Sequence, residues 1–501
     1  MKINEELSSN KQHTGFAKDI AFVALANIIA AALQFLRLPI LTRWLDDTSL
    51  YGTWSLIWVT ITLVSYIAAL GLGVSTVRFL ATETDKDKIR ENFYSVLFTV
   101  LAAAAFFAFL LTITSGPFSS YILKDSSHSN LVKLASIMIA TQCLSQICFA
   151  FFRTFRQMKF FAAFIAGKAI VETSLMVVFW IFGWDITGVI IAFIASGTLS
   201  ILISLIIILR QIGFKFPRFT LINSYLKYGL PLIPATIILW IIHSSDRYMI
   251  GIFMEARDVG LYSGAYSLSN IIILFAGSLG MVLLPIISKL YDNGDLEQTR
   301  KYLKYSLKSI MMLSIPAAFG LSILATPLLR ILTPDDYISG NTVIPYITSG
   351  LVVFAFYQIC IYTIYLVKKN MWIVVLLSIS AVLNILFNLL LIPYLGIIGA
   401  AVATLVSYGI LGVITVLVSS RYLKFDINIV FMIKSVSASA IMSLIIWWLN
   451  PAGIGMIVLA VLLGIIIYLV TLFLLKGISR YEIKLFRTSI SGIFKGSINK
   501  V

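Results

Sequence analysis

The chain has 501 residues, 59% of them hydrophobic and only 12% charged, with a mean hydropathy of +0.97 and a net charge of +16. That composition excludes a soluble globule with a charged surface, so the solvent must be lipid. The longest stretches between apolar segments run to about twenty residues, as from Val74 to Asn92, too short for an appended soluble enzyme domain.

A bilayer core of about 30 Å takes about 20 apolar residues per helix, because every backbone polar group must be bonded internally. Met1 to Lys18 is polar and carries no apolar core with a small-residue cleavage site, so no cleaved signal peptide is expected. Fourteen apolar segments follow in chain order: Ile20–Leu41, Leu50–Gly73, Phe93–Thr114, Leu131–Phe152, Phe160–Gly183, Ile186–Leu209, Tyr228–Met254, Ala265–Leu290, Tyr305–Leu328, Thr342–Val367, Met371–Ile392, Ile397–Ser419, Ile429–Leu449 and Gly453–Leu475. The expected architecture is an all-α integral membrane protein of 14 transmembrane helices. Cys143, Cys148 and Cys360 fall inside apolar segments with no CxxC or Cys/His cluster, and read as buried small hydrophobes.

The basic residues follow the topology. With the N-terminus inside, 30 of the 38 Lys and Arg fall on inner connections and the two ends, six are outside (Arg37, Arg43, Lys124, Lys133, Arg257 and Arg330), and Lys168 and Arg247 lie within spans. This bias predicts a multi-pass protein of the cytoplasmic membrane with both termini inside, and explains the net charge without a nucleic-acid partner. The tail from Ser479 to Val501 mixes basic and apolar residues and reads either as a strip on the anionic inner surface or as a solvated tail.

Landmarks recur at one offset. Lys18 precedes the Tyr51-Gly52 turn by 33 residues, as Lys227 precedes Gly260; Lys88-Ile89-Arg90 corresponds to Gln298-Thr299-Arg300; Gly188 to Ala192 corresponds to Gly396 to Ala400. The offsets of 208 to 210 residues span six helices, an even number, so the two copies run the same way and are expected to be related by a twofold axis along the membrane normal. The implied domains are lobes at 1–209 and 210–419 facing across a central cavity, two further helices at 420–476 and a basic tail at 477–501.

Ionisable groups at membrane depth face water or a partner by default. Arg37 and Arg247 stand 210 residues apart, at matching places in the repeat, and two guanidinium forks suit the phosphates of a diphosphate. Asn27, Gln34 and Arg37 form one polar stripe on the first helix, and Lys168 and Arg78 would extend the positive track. The plainer readings are an interfacial anchor for Arg37, and ion pairs of Lys168 with Glu172 and of Arg247 with Asp246. Glu172, Asp246 and His243 are the candidates for H⁺ or Na⁺ coupling, with a packing role as the alternative for His243. Gln358, Tyr362 and Tyr365 are spaced to stack on sugar rings or to pack the core. Asn384 and Asn388, one turn apart, read as bonds between helices. Pro39, Pro231 and Pro234 allow helices to bend.

No GxxxxGK[ST] run is present, and Asp85-Lys86-Asp87 reads as a solvated loop rather than a metal site. No cofactor is expected beyond an ion gradient, and no catalytic set stands out, so the chain reads as no enzyme.

Tyr228-Gly229-Leu230-Pro231-Leu232-Ile233-Pro234, Ser245-Asp246-Arg247-Tyr248-Met249-Ile250-Gly251, Val259-Gly260-Leu261-Tyr262, Leu284-Pro285, Asn293-Gly294-Asp295, and Asn384 to Asn388 followed by Leu391-Ile392-Pro393 and Gly396 to Ala401 resemble the polysaccharide repeat-unit flippases, the O-antigen, capsule and teichoic-acid exporters of the multidrug/oligosaccharidyl-lipid/polysaccharide superfamily. The resemblance covers most of the first twelve helices. It implies a two-lobed, V-shaped bundle around a central cavity that flips a polyprenyl-diphosphate-linked oligosaccharide from the inner to the outer leaflet by alternating access, with Arg37, Arg247, Arg78 and Lys168 holding the head group. Glycosyltransferases and a polymerase of the same pathway are the implied partners. An ion-coupled multidrug exporter of the same architecture is the second reading, and a membrane-embedded sugar transferase or polymerase the third.

Overall fold

The structure is a computed structural model that describes the backbone of residues 2–477 and the side chains of 22–277, 279–280 and 283–477. The tail expected to lie on the inner surface falls outside the described residues. Within them the fold is all-α, with no strand. The principal helices are α1 (Lys2–Leu45), α2 (Thr48–Ala68), α3 (Leu72–Leu80), α4 (Lys86–Ile113), α5 (Ser129–Thr154), α6 (Met158–Ile181), α7 (Ile186–Ile212), α8 (Ile222–Gly229), α9 (Ile233–Phe253), α10 (Ala256–Ser269), α11 (Ile271–Asp292), α12 (Leu296–Ile323), α13 (Ala325–Leu332), α14 (Ile344–Cys360), α15 (Tyr362–Leu366), α16 (Asn370–Leu395), α17 (Ile397–Ser419), α18 (Ile429–Leu449) and α19 (Ile454–Leu474).

Thirteen described helices are long and apolar enough to cross a membrane, and a fourteenth span results when α10 and the start of α11 are counted together. The eighth span, expected as one helix over Ala265–Leu290, is therefore interrupted at Asn270. The second also departs from expectation: it stops at Ala68, Leu70 and Gly71 turn with positive φ, and α3 starts afresh at Leu72. Short acidic and amide side chains set the helix starts. Asp47 accepts from the Ser49 amide at 2.7 Å, Asp185 from Thr187 at 2.8 Å and Asn428 from Phe431 at 2.9 Å, each filling one of the orphan donors of a first turn. Asp85 does the same for α4 through Asp87 at 2.9 Å, while Asp87 meets Arg90 at 3.1 Å, which gives this acidic pair a structural role. Cys143, Cys148 and Cys360 are buried and free.

By packing, the chain forms two compact units: residues 1–268, 332–340 and 374–407, and residues 269–331, 341–373 and 408–501. These bounds cut across the lobes at 1–209 and 210–419. In the first unit α1 packs along α6, α4 and α7 flank α5, and α2 meets α9. In the second, α12 is the central element, touching α11, α14 and α18, with Leu303, Leu307, Ile310, Phe431, Ala438 and Met442 in one apolar core.

The duplication is visible inside the first unit. Gly52 lies against the backbone carbonyl of Ala256, and Gly260 against that of Thr48, so each glycine of one copy meets the other copy's equivalent partner. Ser55 and Ser263, themselves 208 residues apart, hydrogen-bond at 2.7 Å on the same line. Reciprocal contacts of this kind are what a local twofold axis produces. Tyr51-Gly52 is not a turn, as the sequence pattern had it, but like Gly260 sits near the start of a helix, α2 and α10 respectively, where small residues let two helix backbones touch.

A Cβ on Gly52 would sit 2.9 Å from the Gly260 amide nitrogen, and one on Gly260 would sit 2.9 Å from Thr48 Cγ2. Gly260→Val and Gly52→Val are therefore expected to destabilise the fold by about 1–3 kcal/mol or more through overpacking. Gly455→Ala in α19, where no atom lies within 4 Å, is expected to match or exceed the wild type. Thermal unfolding of the detergent-solubilised proteins checks the contrast.

Candidate functional site

Lipid cannot solvate a charge, so a guanidinium at membrane depth is held by whatever carboxylates, carbonyls and aromatic faces the neighbouring helices present. In the first unit this yields two separate charge centres.

The first joins α1 to α6. Arg37 Nη1 lies 2.8 Å from Glu172 Oε1, with the side chains 17% and 5% exposed. The contact is one of charge proximity rather than an aligned hydrogen bond. Arg37 Nε donates to Thr173 Oγ1 at 3.4 Å, and the guanidinium stands 5.6 Å from the centre of the Phe193 ring on α7. Lys168, one turn before Glu172, is in electrostatic range of both Glu172 and Arg37. The acid that sequence spacing assigned to Lys168 thus forms its ion pair with Arg37 instead, because α1 and α6 pack side by side and bring the fork directly over it. Asn27 is half-buried and Gln34 exposed on α1, and neither hydrogen-bonds Arg37 or Glu172.

The second centre is on α9. Asp246 Oδ1 accepts the Arg247 backbone amide at 2.8 Å and pairs with Arg247 Nη1 at 3.2 Å, as the adjacency of the two residues led us to expect. Asp246 Oδ2 accepts the Tyr262 hydroxyl of α10 at 2.6 Å. Arg247 Nη1 also donates to the carbonyl of His243 at 2.9 Å, and its guanidinium lies 4.4 Å from the Tyr266 ring centre. With side-chain exposures of 10% and 2%, Arg247 and Asp246 form an enclosed knot rather than an open cationic surface. His243 is half-buried beside it.

A neutral polar cluster adjoins Asp246. Ser245 Oγ donates to Asn384 Oδ1 at 3.1 Å, Asn384 Nδ2 to Thr404 Oγ1 at 3.3 Å, and Asn388 Nδ2 to Asn384 Oδ1 at 3.0 Å. Asn384 thereby ties α9, α16 and α17 together, the interhelical role read from its spacing.

Arg78 is exposed on α3 and leans on α8, 4.7 Å above the Tyr228 ring and 3.4 Å from its hydroxyl. In the second unit Gln358 is half-buried at the end of α14, and the helix is interrupted before Tyr362, so the three proposed sugar-stacking residues do not share one continuous helix. The Tyr362 hydroxyl packs on Gly280, its ring lies 6.1 Å from that of Tyr365, and Tyr365 is exposed.

Sequence reasoning missed a cavity of about 340 Å³ in the first unit, bounded by α2, α3, α5, α6 and the start of α9. Arg153 is the charged residue on its wall; among the described residues it meets no carboxylate, and its guanidinium stands 5.8 Å from the Phe161 ring. Topological counting placed Arg153 with the loop cations. The signal that sets it apart is the stripe Gln142, Gln146, Phe149 and Arg153, at helical spacing on one face of α5.

The thirteen or fourteen apolar spans among the described residues define a multi-pass membrane protein. Within that class the chain belongs to the polysaccharide biosynthesis protein family, whose model matches residues 16–291; the MatE family model matches residues 231–390. Over 46% of this chain and 48% of the relative it is 24% identical to a probable low-salt glycan biosynthesis flippase of Haloferax volcanii, and over 49% and 51% it is 26% identical to a probable lipid II flippase of Rickettsia prowazekii. The chain thus spans about half the length of these two relatives. Among solved structures, the lipid II flippase MurJ in an inward closed conformation superposes with a TM-score of 0.75 over 90% of this chain and 98% of that one, at 20% identity. An inward-facing multidrug resistance MATE family transporter of the MOP superfamily gives 0.64 over 78% and 94%, at 14% identity. The fold is that of this superfamily.

Removing one partner of a buried ion pair strands the other, at a cost of about 3–5 kcal/mol. Glu172→Gln and Arg37→Gln are each expected to lower the melting temperature in detergent, and the double variant to lose clearly less than the two single losses added together.

Proposed function

We propose that the protein translocates a lipid-linked glycan, a polyprenyl-diphosphate-linked oligosaccharide, from the inner to the outer leaflet of the cytoplasmic membrane by alternating access, with both termini inside. The observation that carries this reading is the imbalance around Glu172: one carboxylate faces two cations, Arg37 and Lys168, at membrane depth. A diphosphate offers an arginine fork more acceptor oxygens than a single carboxylate does, and it brings the negative charge that this centre lacks. The names carried by the relatives, flippases for glycan biosynthesis and for lipid II, support the same substrate class.

In this reading Glu172 and the substrate phosphate compete for Arg37. Protonation of Glu172, or a cation replacing Arg37 beside it, releases the fork to the phosphate, which links transport to an H⁺ or Na⁺ gradient. Asp246 is the second candidate, held through Tyr262 and Arg247, with His243 beside it. Glycosyltransferases that build the oligosaccharide and a polymerase that consumes it are the partners this activity requires.

The MatE match over residues 231–390 and the MATE-like fold keep a multidrug exporter as the second reading. Cationic drugs need an acidic surplus, whereas the charges around Glu172 carry a basic one.

A strain lacking the protein is expected to accumulate the lipid-linked oligosaccharide on the inner leaflet, to lose surface glycan and to keep its drug susceptibility. Export restored by the wild type is expected to fall at least about tenfold with Arg37→Ala, the scale of one charge-assisted contact. Unchanged export with both Arg37→Ala and Arg247→Ala at normal protein levels sinks the assignment of these residues, and broad drug sensitisation with intact surface glycan favours the exporter.

A further inference from the structure

The cavity beside Arg153 has the chemistry of an anion site without an anion donor of its own. Its wall carries three exposed side chains that can donate, the Arg153 guanidinium, the Gln146 amide and the Tyr66 hydroxyl, and none of them hydrogen-bonds another described residue. Gln146 and Arg153 project from the same face of α5, seven residues apart, with Phe149 between them. Further along that face the Gln142 Nε2 atom is fully buried and also unpartnered. A side-chain amide buried without a partner costs free energy that a ligand oxygen or a water can return.

The cavity is bounded by the two places where spans of this unit leave helical geometry. One is the Leu70-Gly71 break between α2 and α3, with positive φ at both residues, and the other is the 3₁₀ turn Leu230–Leu232 between α8 and α9. The two touch where the Gly229 carbonyl meets Gly71. Irregular backbone at membrane depth persists where it is buried in protein or lines a wet cavity. Apart from Thr236 the remaining wall is apolar, with Phe149, Phe161 and Leu232 among its side chains.

We propose that this cavity is a binding site for the phosphate end of a membrane lipid, with Arg153 as the phosphate fork, Gln146 and Tyr66 as further donors, and the aromatic wall against the first units of the lipid or the first sugar. A volume of about 340 Å³ is at the small end for a ligand site, enough for a phosphorylated head and its first attached group but not for a whole oligosaccharide. The cavity therefore reads the part of the substrate that every glycan variant shares. This rests on the flippase reading above and assigns it a head-group site apart from the Arg37–Glu172 pair, on the end of α5 that adjoins the basic inner loop.

The shared chemistry is a lipid phosphate, supplied either by a polyprenyl diphosphate or by an ordinary anionic phospholipid. Binding to the purified full-length protein is measured with farnesyl diphosphate, farnesol and short-chain phosphatidylglycerol as probes. We expect farnesyl diphosphate to bind, farnesol to bind much more weakly, and Arg153→Gln to weaken farnesyl diphosphate about ten- to a hundredfold, with Arg153→Lys intermediate because it keeps the charge and loses the fork. Gln146→Leu is expected to weaken it in the same sense, and it carries the test if Arg153→Gln fails to fold. Equal binding of farnesyl diphosphate by wild type, Arg153→Gln and Gln146→Leu overturns the site. Phosphatidylglycerol binding as tightly as farnesyl diphosphate, and lost with it in Arg153→Gln, overturns the substrate-head assignment in favour of a phospholipid site. Loss of glycan export in the deletion strain, measured alongside, tests the flippase reading independently of either result.

Discussion

Charge at membrane depth organises this molecule. Three arginines of the first unit are held in three different ways. Arg37 takes a carboxylate from another helix, Arg247 takes its own sequence neighbour and two tyrosine faces, and Arg153 takes an aromatic ring and an empty cavity. The three solutions rank by how much each leaves for a ligand. Arg247 is nearly closed, Arg37 is paired with a buried acid on another helix, and Arg153 meets no carboxylate among the described residues. A carrier for a diphosphate needs at least one cation whose partner can be exchanged, since a fully satisfied arginine has nothing to offer and a fully bare one in hydrocarbon is too costly to keep.

The backbone obeys a parallel constraint. Most spans are unbroken helices, as lipid demands, and the interruptions at Leu70-Gly71 and Leu230–Leu232 occur together on one cavity. Elsewhere the opposite device holds helices rigidly together. At Gly52 and Gly260 the absence of side chains lets α2 and α10 touch backbone to backbone, with Ser55 and Ser263 closing the contact. The first unit thus combines a tight symmetric seam with a loosely filled pocket, and the polar cluster on Asn384 ties α9, α16 and α17 beside Asp246.

Much of the fold was legible from composition alone, because twenty apolar residues in a row have few other fates. The span ends near Leu72 and Asn270 were not, since apolar runs continue across both breaks; positive φ at Leu70 and Gly71 marks the first, and the interruption of the helix at Asn270 the second. The Asp246–Arg247 pair could be read from adjacency. The Arg37–Glu172 pair could not, because the 134 intervening residues carry no record of which helix lies beside which. Spacing instead put Glu172 with Lys168, a contact the structure reduces to a longer-range one.

What the amino-acid sequence determined by itself is the solvent and the helical content, which follow from local hydropathy, the doubled plan, which follows from patterns repeated at one offset, and the family, which follows from motifs kept in order along the chain. What the tertiary structure alone decided is which cations are spoken for. Pairing depends on the distance between side chains on helices far apart in the chain, and Arg153 reads as one more loop charge until α2, α5 and α9 are packed around it and leave it facing a cavity without an acid.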